Sequence, residues 1–374
     1  MSDAYRPRRG TARAPDPPRR GRAPLLLGVA LAVCLPWLSS ASAQADPGGA
    51  TPVERAVTPT ERAEAPGEPA GASPRAGRGA ASAELEPVPD FGANPGALSM
   101  FRYVPDGLPS GSPVVVVLHG CTQDAATYVD GAGWREFADE YGFAVVAPQQ
   151  ETANNANRCF NWFERADTAR DSGEAASIRR MVEHTVGALD ADPGRVFVTG
   201  LSAGGGMTSS LLAAYPDAFA GGAVIAGIPH GCASSLPEAF GCMNPGVTRT
   251  PAQWGDLVRS AHPDHEGDRP KVAVWHGTAD TTVHPRNATE SVKQWTDVLG
   301  ADQTPDAEEQ LPDGTTRSEH TDGSGEVVVR EYVVPDMGHG TPVRPSEGCG
   351  RAGAHFLDTL CSTRHITGDW GLSG

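Results

Sequence analysis

From about residue 110 onward, short uninterrupted apolar runs alternate with stretches whose apolar positions recur at helical spacing. Val114 to Leu118 is a continuous run, almost all β-branched, that ends in His119-Gly120, the pattern of a strand buried on both faces. Trp134 to Tyr141 then predicts a short helix, and Phe143 to Ala147 a strand closed by Pro148. Between Ser172 and Leu189, the residues Ala176, Ile178, Met181, Val182, Val186 and Leu189 line one helical face. Asp192-Pro193-Gly194 reads as a turn before a strand at Val196 to Thr199. Gly200 to Gly206 leads into a helix carrying Met207, Leu211 and Leu212, which stops at Tyr215-Pro216. Strands follow at Ala223 to Ala226 and Val272 to Trp275, a helix at Asn287 to Val298, and a last strand at Val327 to Val334. All-apolar strands alternating with helices predict an α/β protein, with a mostly parallel central sheet and helices on both faces.

Two stretches break the alternation. Residues 149–170 form an Asn-rich loop containing Cys159-Phe160-Asn161-Trp162-Phe163, and residues 228–270 hold two cysteines and a helix near Pro251 to Ser260. Long insertions at the carboxyl ends of strands commonly build the walls or lids of binding sites.

The first ninety residues have a different composition. Seven arginines between Arg6 and Arg22 precede an apolar stretch from Leu25 to Leu38 and then Ala41-Ser42-Ala43. This is the charged, apolar, small-residue order of a cleavable export signal, expected to span 1–43. The apolar stretch is shorter than the roughly 20 residues a membrane anchor needs. Arg19-Arg20 offers a twin-arginine reading, and bulky Val33 before Cys34 argues against a lipoprotein site. Residues 44–88 are rich in Ala, Pro, Gly, Glu and Arg and poor in large apolar side chains, which predicts a disordered linker. One catalytic domain is therefore expected over 89–374, secreted and extracellular. The whole chain carries −16; removing the signal, at +5, leaves −21 for the exported part. Such a surface repels nucleic acid and anionic lipid, so it favours neutral or cationic partners and no membrane after cleavage. No repeat or other sequence feature points to an oligomeric state.

Beyond the signal, six cysteines remain: Cys121, Cys159, Cys232, Cys242, Cys349 and Cys361. An even number in an exported chain predicts disulfides. No pair has the C-x2-C spacing of a zinc site, so no metal is expected.

The chemistry concentrates at Gly200-Leu201-Ser202-Ala203-Gly204, a G-x-S-x-G pattern between a strand and a helix. In that setting the serine sits on a sharp turn, and the Ala203 amide lies at a helix N-terminus, positioned to face an oxyanion. A serine hydroxyl needs a base and an orienting acid, which in the α/β-hydrolase order follow as acid and then histidine. Asp280, in the loop after the strand Val272 to Trp275, fits the acid. His339, flanked by Gly338 and Gly340 after the last strand, fits the base. His276 and His284 crowd Asp280 and remain alternatives; His355 and His365 fall on the last helix or beyond it. Asp336 is too near His339 in sequence to reach its far ring nitrogen easily. The second oxyanion donor is expected from the loop after the first central strand, at the Cys121 amide, with Thr122 the alternative. His119 is expected to fix that loop by hydrogen bonds.

Four blocks, His119-Gly120-Cys121, Arg158-Cys159-Phe160-Asn161-Trp162, Gly200 to Gly205 and Trp275 to Asp280, resemble the polyhydroxybutyrate depolymerase family of esterases, relatives of feruloyl and acetylxylan esterases. The similarity extends from about Ala97 to Leu372. It implies an α/β-hydrolase fold, secretion, no cofactor, Ser202, Asp280 and His339 as nucleophile, acid and base, and a neutral polyester or its oligomers as substrate. Hemicellulose side-chain esters, feruloyl or acetyl, are the alternative. Members that attack solid polymer generally append an adsorption module after the catalytic domain. None follows here before Gly374, which shifts the expectation toward oligomers, amorphous polyester or the hemicellulose esters. A serine peptidase would normally carry an extra domain or a larger cap, and a non-catalytic relative would have lost a triad member. The expected disulfides are Cys232–Cys242, ten residues apart in one insertion, Cys349–Cys361, around the start of the final helix, and Cys121–Cys159. The resemblance puts that last pair in blocks beside the active site, where a bond would set Trp162 as an apolar wall; a buried free thiol at Cys121 is the rival reading.

Overall fold

A computed structural model describes residues 84–373; the expected signal (1–43) and residues 44–83 of the expected linker lie outside the described residues. A ten-stranded sheet forms the centre, in the order β1-β2-β4-β3-β5-β6-β7-β10-β9-β8. Its strands are β1 (Glu86–Pro87), β2 (Ser99–Tyr103), β3 (Val114–Leu118), β4 (Ala144–Gln149), β5 (Val196–Leu201), β6 (Gly221–Ile225), β7 (Lys271–Gly277), β8 (Ala307–Gln310), β9 (Thr316–Thr321) and β10 (Val327–Val334). The six strands β4, β3, β5, β6, β7 and β10 are mutually parallel. Antiparallel strands extend the sheet at both edges: β2 and β1 beyond β4, β9 and β8 beyond β10.

The helices are α1 (Ala125–Gly131), α2 (Trp134–Tyr141), α3 (Arg165–Thr168), α4 (Gly173–Leu189), α5 (Ala203–Ala214), α6 (Leu236–Met243), α7 (Pro251–Ala261), α8 (Arg286–Leu299) and α9 (Ser362–Asp369). Alternation along each strand divides the core. Val114, Val116 and Leu118 of β3 pack with Ile178 of α4, Leu211 of α5 and Trp295 of α8, while Val115 and Val117 pack with Val129 of α1, Phe137 of α2 and Ile366 of α9. The sheet thus carries one helical layer on each face, because both sides of its apolar strands must be covered. A third apolar cluster, with Trp162, Ile228, Ala239, Cys242 and Trp254, draws on the two insertions.

Two boundaries differ from expectation. Glu86 and Pro87 pair with Arg102 and Phe101 of β2, and the Val88 N–H donates to Met100 O, so folded chain begins inside the range assigned to the linker. Cys361 is the N-cap residue of α9, so Cys349 and Cys361 both precede the first turn of the final helix instead of bracketing its start. Three disulfides join Cys121 to Cys159, Cys232 to Cys242 and Cys349 to Cys361. Among the described residues, no helix is long and apolar enough to cross a membrane.

Strand order reverses around β3: the chain passes from β3 to β4 on one side and returns to β5 on the other. The crevice at the carboxyl ends of such strands is where α/β sheets bind ligands. Both the loop after β3 and the turn after β5 open there.

Candidate active site

Ser202 joins β5 to α5 with φ 58° and ψ −115°, a conformation L-residues avoid. A strained residue of this kind costs roughly 1–3 kcal/mol and persists only where its surroundings over-determine it. Here the Ser202 N–H donates to Ile225 O at 2.9 Å and its carbonyl accepts from Gly206 N at 2.9 Å. Glycine is required on both sides of the turn. A Cβ on Gly200 would lie 2.6 Å from the Gly204 backbone, and one on Gly204 2.4 Å from Leu118 O. The turn therefore presses against β3 and brings Ser202 beside the loop that follows that strand.

Asp280 and His339 come from loops laced together by backbone hydrogen bonds. The Thr278 N–H donates to Val334 O at 3.0 Å and the Ala279 N–H to Met337 O at 3.0 Å. His339 Nδ1 lies 2.7 Å from Asp280 Oδ2. Oδ1 of Asp280 accepts from the Thr282 and Val283 amides, each at 2.9 Å, which fixes the carboxylate plane. Burial alone would raise this carboxyl; hydrogen bonds from His276, His339 and the Val283 amide outweigh it and hold the group well below the usual carboxylate range. A carboxylate at Nδ1 keeps the proton there and leaves Nε2 to act as acceptor. Ser202 Oγ and His339 line the same cleft, without a hydrogen bond between them in this structure. Contacts of this kind often tighten only once substrate is bound.

The alternative histidines have other partners. His276 is buried, with Nε2 2.8 Å from Val283 O and 3.4 Å from Asp280 Oδ2, so it buttresses the acid from behind. His284 Nδ1 accepts from the Arg286 amide. Asp336 is exposed, and its N–H is held by Thr278 Oγ1. Of the two histidines expected on or beyond the last helix, His365 is on α9, but His355 is not. It precedes β12 (Phe356–Asp358), which pairs with β11 (Thr341–Val343), and its ring centroid is 6.5 Å from that of His339 in the cleft wall. No sequence periodicity marks that loop.

The segment after β3 is tightly held. The Gln150 N–H donates to His119 Nε2 at 3.1 Å, so the ring proton is on Nδ1 and is given to Gly120 O at 2.7 Å. Burial pushes this imidazole below its usual pKa, keeping it neutral. Gly120 N–H donates to Gln123 Oε1 and Thr122 N–H to Asn157 O, at 2.8 and 2.6 Å. Among the described residues, the Cys121 and Ala203 amides make no hydrogen bond. The Cys121–Cys159 bond fastens this segment to the Asn-rich loop.

These elements surround a cleft of about 870 Å³. One wall is apolar: Trp162 and Phe163, Ile228, and Leu236, Ala239, Phe240 and Met243 of α6. Leu236 and Phe240 are the exposed large apolar side chains among the described residues, at 50% and 64%. The other wall is polar, with Asn154, Asn155, Asn157 and Thr122.

A strained serine after β5, an acid–histidine pair after β7 and β10, and a parallel sheet between helical layers define an α/β-hydrolase. Residues 98–320 match the family described as Esterase PHB depolymerase, a span that includes Ser202 and Asp280. The chain is 48% identical over 294 residues to poly(3-hydroxyalkanoate) depolymerase C of Paucimonas lemoignei, covering 78% of this chain and 70% of that protein. It is 35% identical over 267 residues to feruloyl esterase B of Neurospora crassa, covering 70% and 89%. Among solved structures it resembles the acetyl xylan esterase from Aspergillus awamori, with a TM-score of 0.64 at 30% identity over 71% of this chain and 97% of that one. The chain belongs to the PHB depolymerase esterase family and is a carboxylic ester hydrolase.

Proposed function

We propose that the protein cleaves hydroxyalkanoate polyester or its oligomers through a serine acyl-enzyme, with Ser202, His339 and Asp280 as nucleophile, base and acid. The observation that carries the mechanism is the Asp280–His339 pair, 2.7 Å apart, on the same cleft as the strained Ser202. Ser202 Oγ bonds to the ester carbonyl carbon while its proton passes to His339 Nε2. The Cys121 and Ala203 amides, both uncommitted, receive the oxyanion; the Thr122 amide is already given to Asn157. His339 then protonates the departing alkoxide, and a water, activated by the same imidazole, releases the acid and restores Ser202. Trp162 forms the apolar wall for the acyl chain, and the reaction needs no cofactor.

The polyester reading rests on the 48% identity to a poly(3-hydroxyalkanoate) depolymerase and on the apolar α6 wall. The second reading, a feruloyl or acetylxylan esterase, is favoured by the structural likeness to an acetyl xylan esterase. A panel of hydroxybutyrate oligomers, methyl ferulate and acetylated xylan decides between them. We expect kcat/KM highest on the oligomers; a preference of tenfold or more for ferulate or acetylxylan overturns the polyester assignment. Residues 1–43 serve as an export signal, the following residues as a linker, and the enzyme works outside the cell, where three disulfides persist.

A further inference from the structure

Behind the cleft lies a buried carboxylate that the proposed mechanism does not use. Glu174, in the first turn of α4, is 1% exposed. Its Oε2 accepts from the Asn161 amide at 2.8 Å and its Oε1 from Gln150 Nε2. Its charged neighbour is Asp167 on α3, of like sign; burial and that charge push the carboxyl up, while the donors Asn161 and Gln150 favour its ionised form. Among the described residues no Arg or Lys pairs with it. A carboxylate buried without a counter-ion is costly and needs a reason.

Its partners supply one. Gln150 Nε2 also donates to Cys159 O at 3.1 Å, while its Oε1 accepts from Glu151 N and Asn154 Nδ2, each at 3.0 Å. Turning the carboxamide over would break all three, so Gln150 can offer Glu174 only a donor. The Asn161 amide is a donor too. Glu174 must therefore accept at both oxygens, which an ionised carboxylate does and an amide does not. What it holds is the cleft wall itself. Asn161 precedes Trp162; Cys159 is bonded to Cys121; and the Gln150 amide fixes His119, two residues before Cys121.

We propose that Glu174 is a positioning residue for ester hydrolysis, its carboxylate holding residues 159–162 and, through Gln150, residues 119–121 so that the Cys121 amide meets the developing oxyanion. The inference rests on the oxyanion role given above to Cys121. An oxyanion donor acts on the transition state, so its loosening lowers kcat and leaves KM nearly unchanged. Glu174→Gln sets an NH2 against one of two donors. It should lower kcat on p-nitrophenyl butyrate by about 10- to 100-fold, with KM within about threefold, at temperatures where the variant is fully folded. A merely structural residue would lower the melting temperature without that split. Glu174→Asp keeps a carboxylate one methylene short and should fall between the two; Glu183→Gln, exposed on the same helix, should match the wild type. Near wild-type kcat in folded Glu174→Gln, or a rise confined to KM, overturns the proposal. If Glu174→Gln does not fold, Glu174→Asp carries the test: wild-type kcat overturns it, and a fall in kcat alone supports it. Fluorophosphonate labelling of wild-type Ser202 is run alongside. Failure to label strikes the underlying serine mechanism, whereas labelling with an unaffected Glu174 variant strikes this inference alone.

Discussion

Asp280 shows how one side chain is made both anionic and oriented. Two backbone amides take Oδ1, while His339 at 2.7 Å and His276 at 3.4 Å both face Oδ2. Because hydrogen bonding holds the folded carboxyl below its unfolded value, the stability this confers is present above about pH 4 and is lost on acidification through the folded pKa. Asp280→Asn should lower kcat on p-nitrophenyl butyrate by about 10³- to 10⁴-fold, since the imidazole loses its orienting anion. It should also flatten the decline of melting temperature between about pH 4 and pH 2 relative to wild type. An Asp280→Asn protein with more than a tenth of wild-type kcat would remove Asp280 from the mechanism. The proposed triad could be singled out in the sequence because each chemical role demands a residue type at a strand's end in a set order. Glu174 was not legible. Nothing local couples it to Asn161 and Gln150; only the packing of α4 against the Asn-rich loop does so.

The insertions make the site specific at the level of elements. The Asn-rich loop brings Trp162 to the cleft, and its bond from Cys159 ties it to the segment after β3. A bridge closing a 38-residue separation contributes about 4 kcal/mol in the chain-entropy account. Replacing Cys121 and Cys159 together by serine should therefore lower the melting temperature by several degrees. It should also reduce kcat at least about tenfold at 25 °C, because the Cys121 amide is no longer fixed. A melting shift with unchanged kcat would confine this bridge to stability. The parallel strands were readable as apolar runs, whereas the edge strands were not. Ala307–Gln310 is exposed along its length, and Thr316–Thr321 is mostly polar. Pairing of β9 with β10 and of β8 with β9, rather than any pattern of their own, makes these residues strands. His355 escaped for a similar reason: its place in the cleft is set by β11–β12 pairing.

For the whole molecule, the strand order is what converts separate motifs into one site. Reversal around β3 sets the β3 and β5 carboxyl ends side by side, and β7 and β10 deliver the Asp280 and His339 loops to the same edge. Alternating strands and helices predicted the layers correctly but not this order, because periodicity reports which faces are buried and not which strands are neighbours. The most direct test of the account uses the intact protein: a fluorophosphonate is added, the adducts are weighed and mapped by peptide mass spectrometry, and ester hydrolysis is followed alongside. The account predicts one adduct per chain, on the peptide containing Ser202, with hydrolysis lost in step. It also predicts neither adduct nor more than about a thousandth of wild-type activity in folded Ser202→Ala. An adduct on another residue, or a Ser202→Ala protein retaining more than a tenth of its activity, would contradict it.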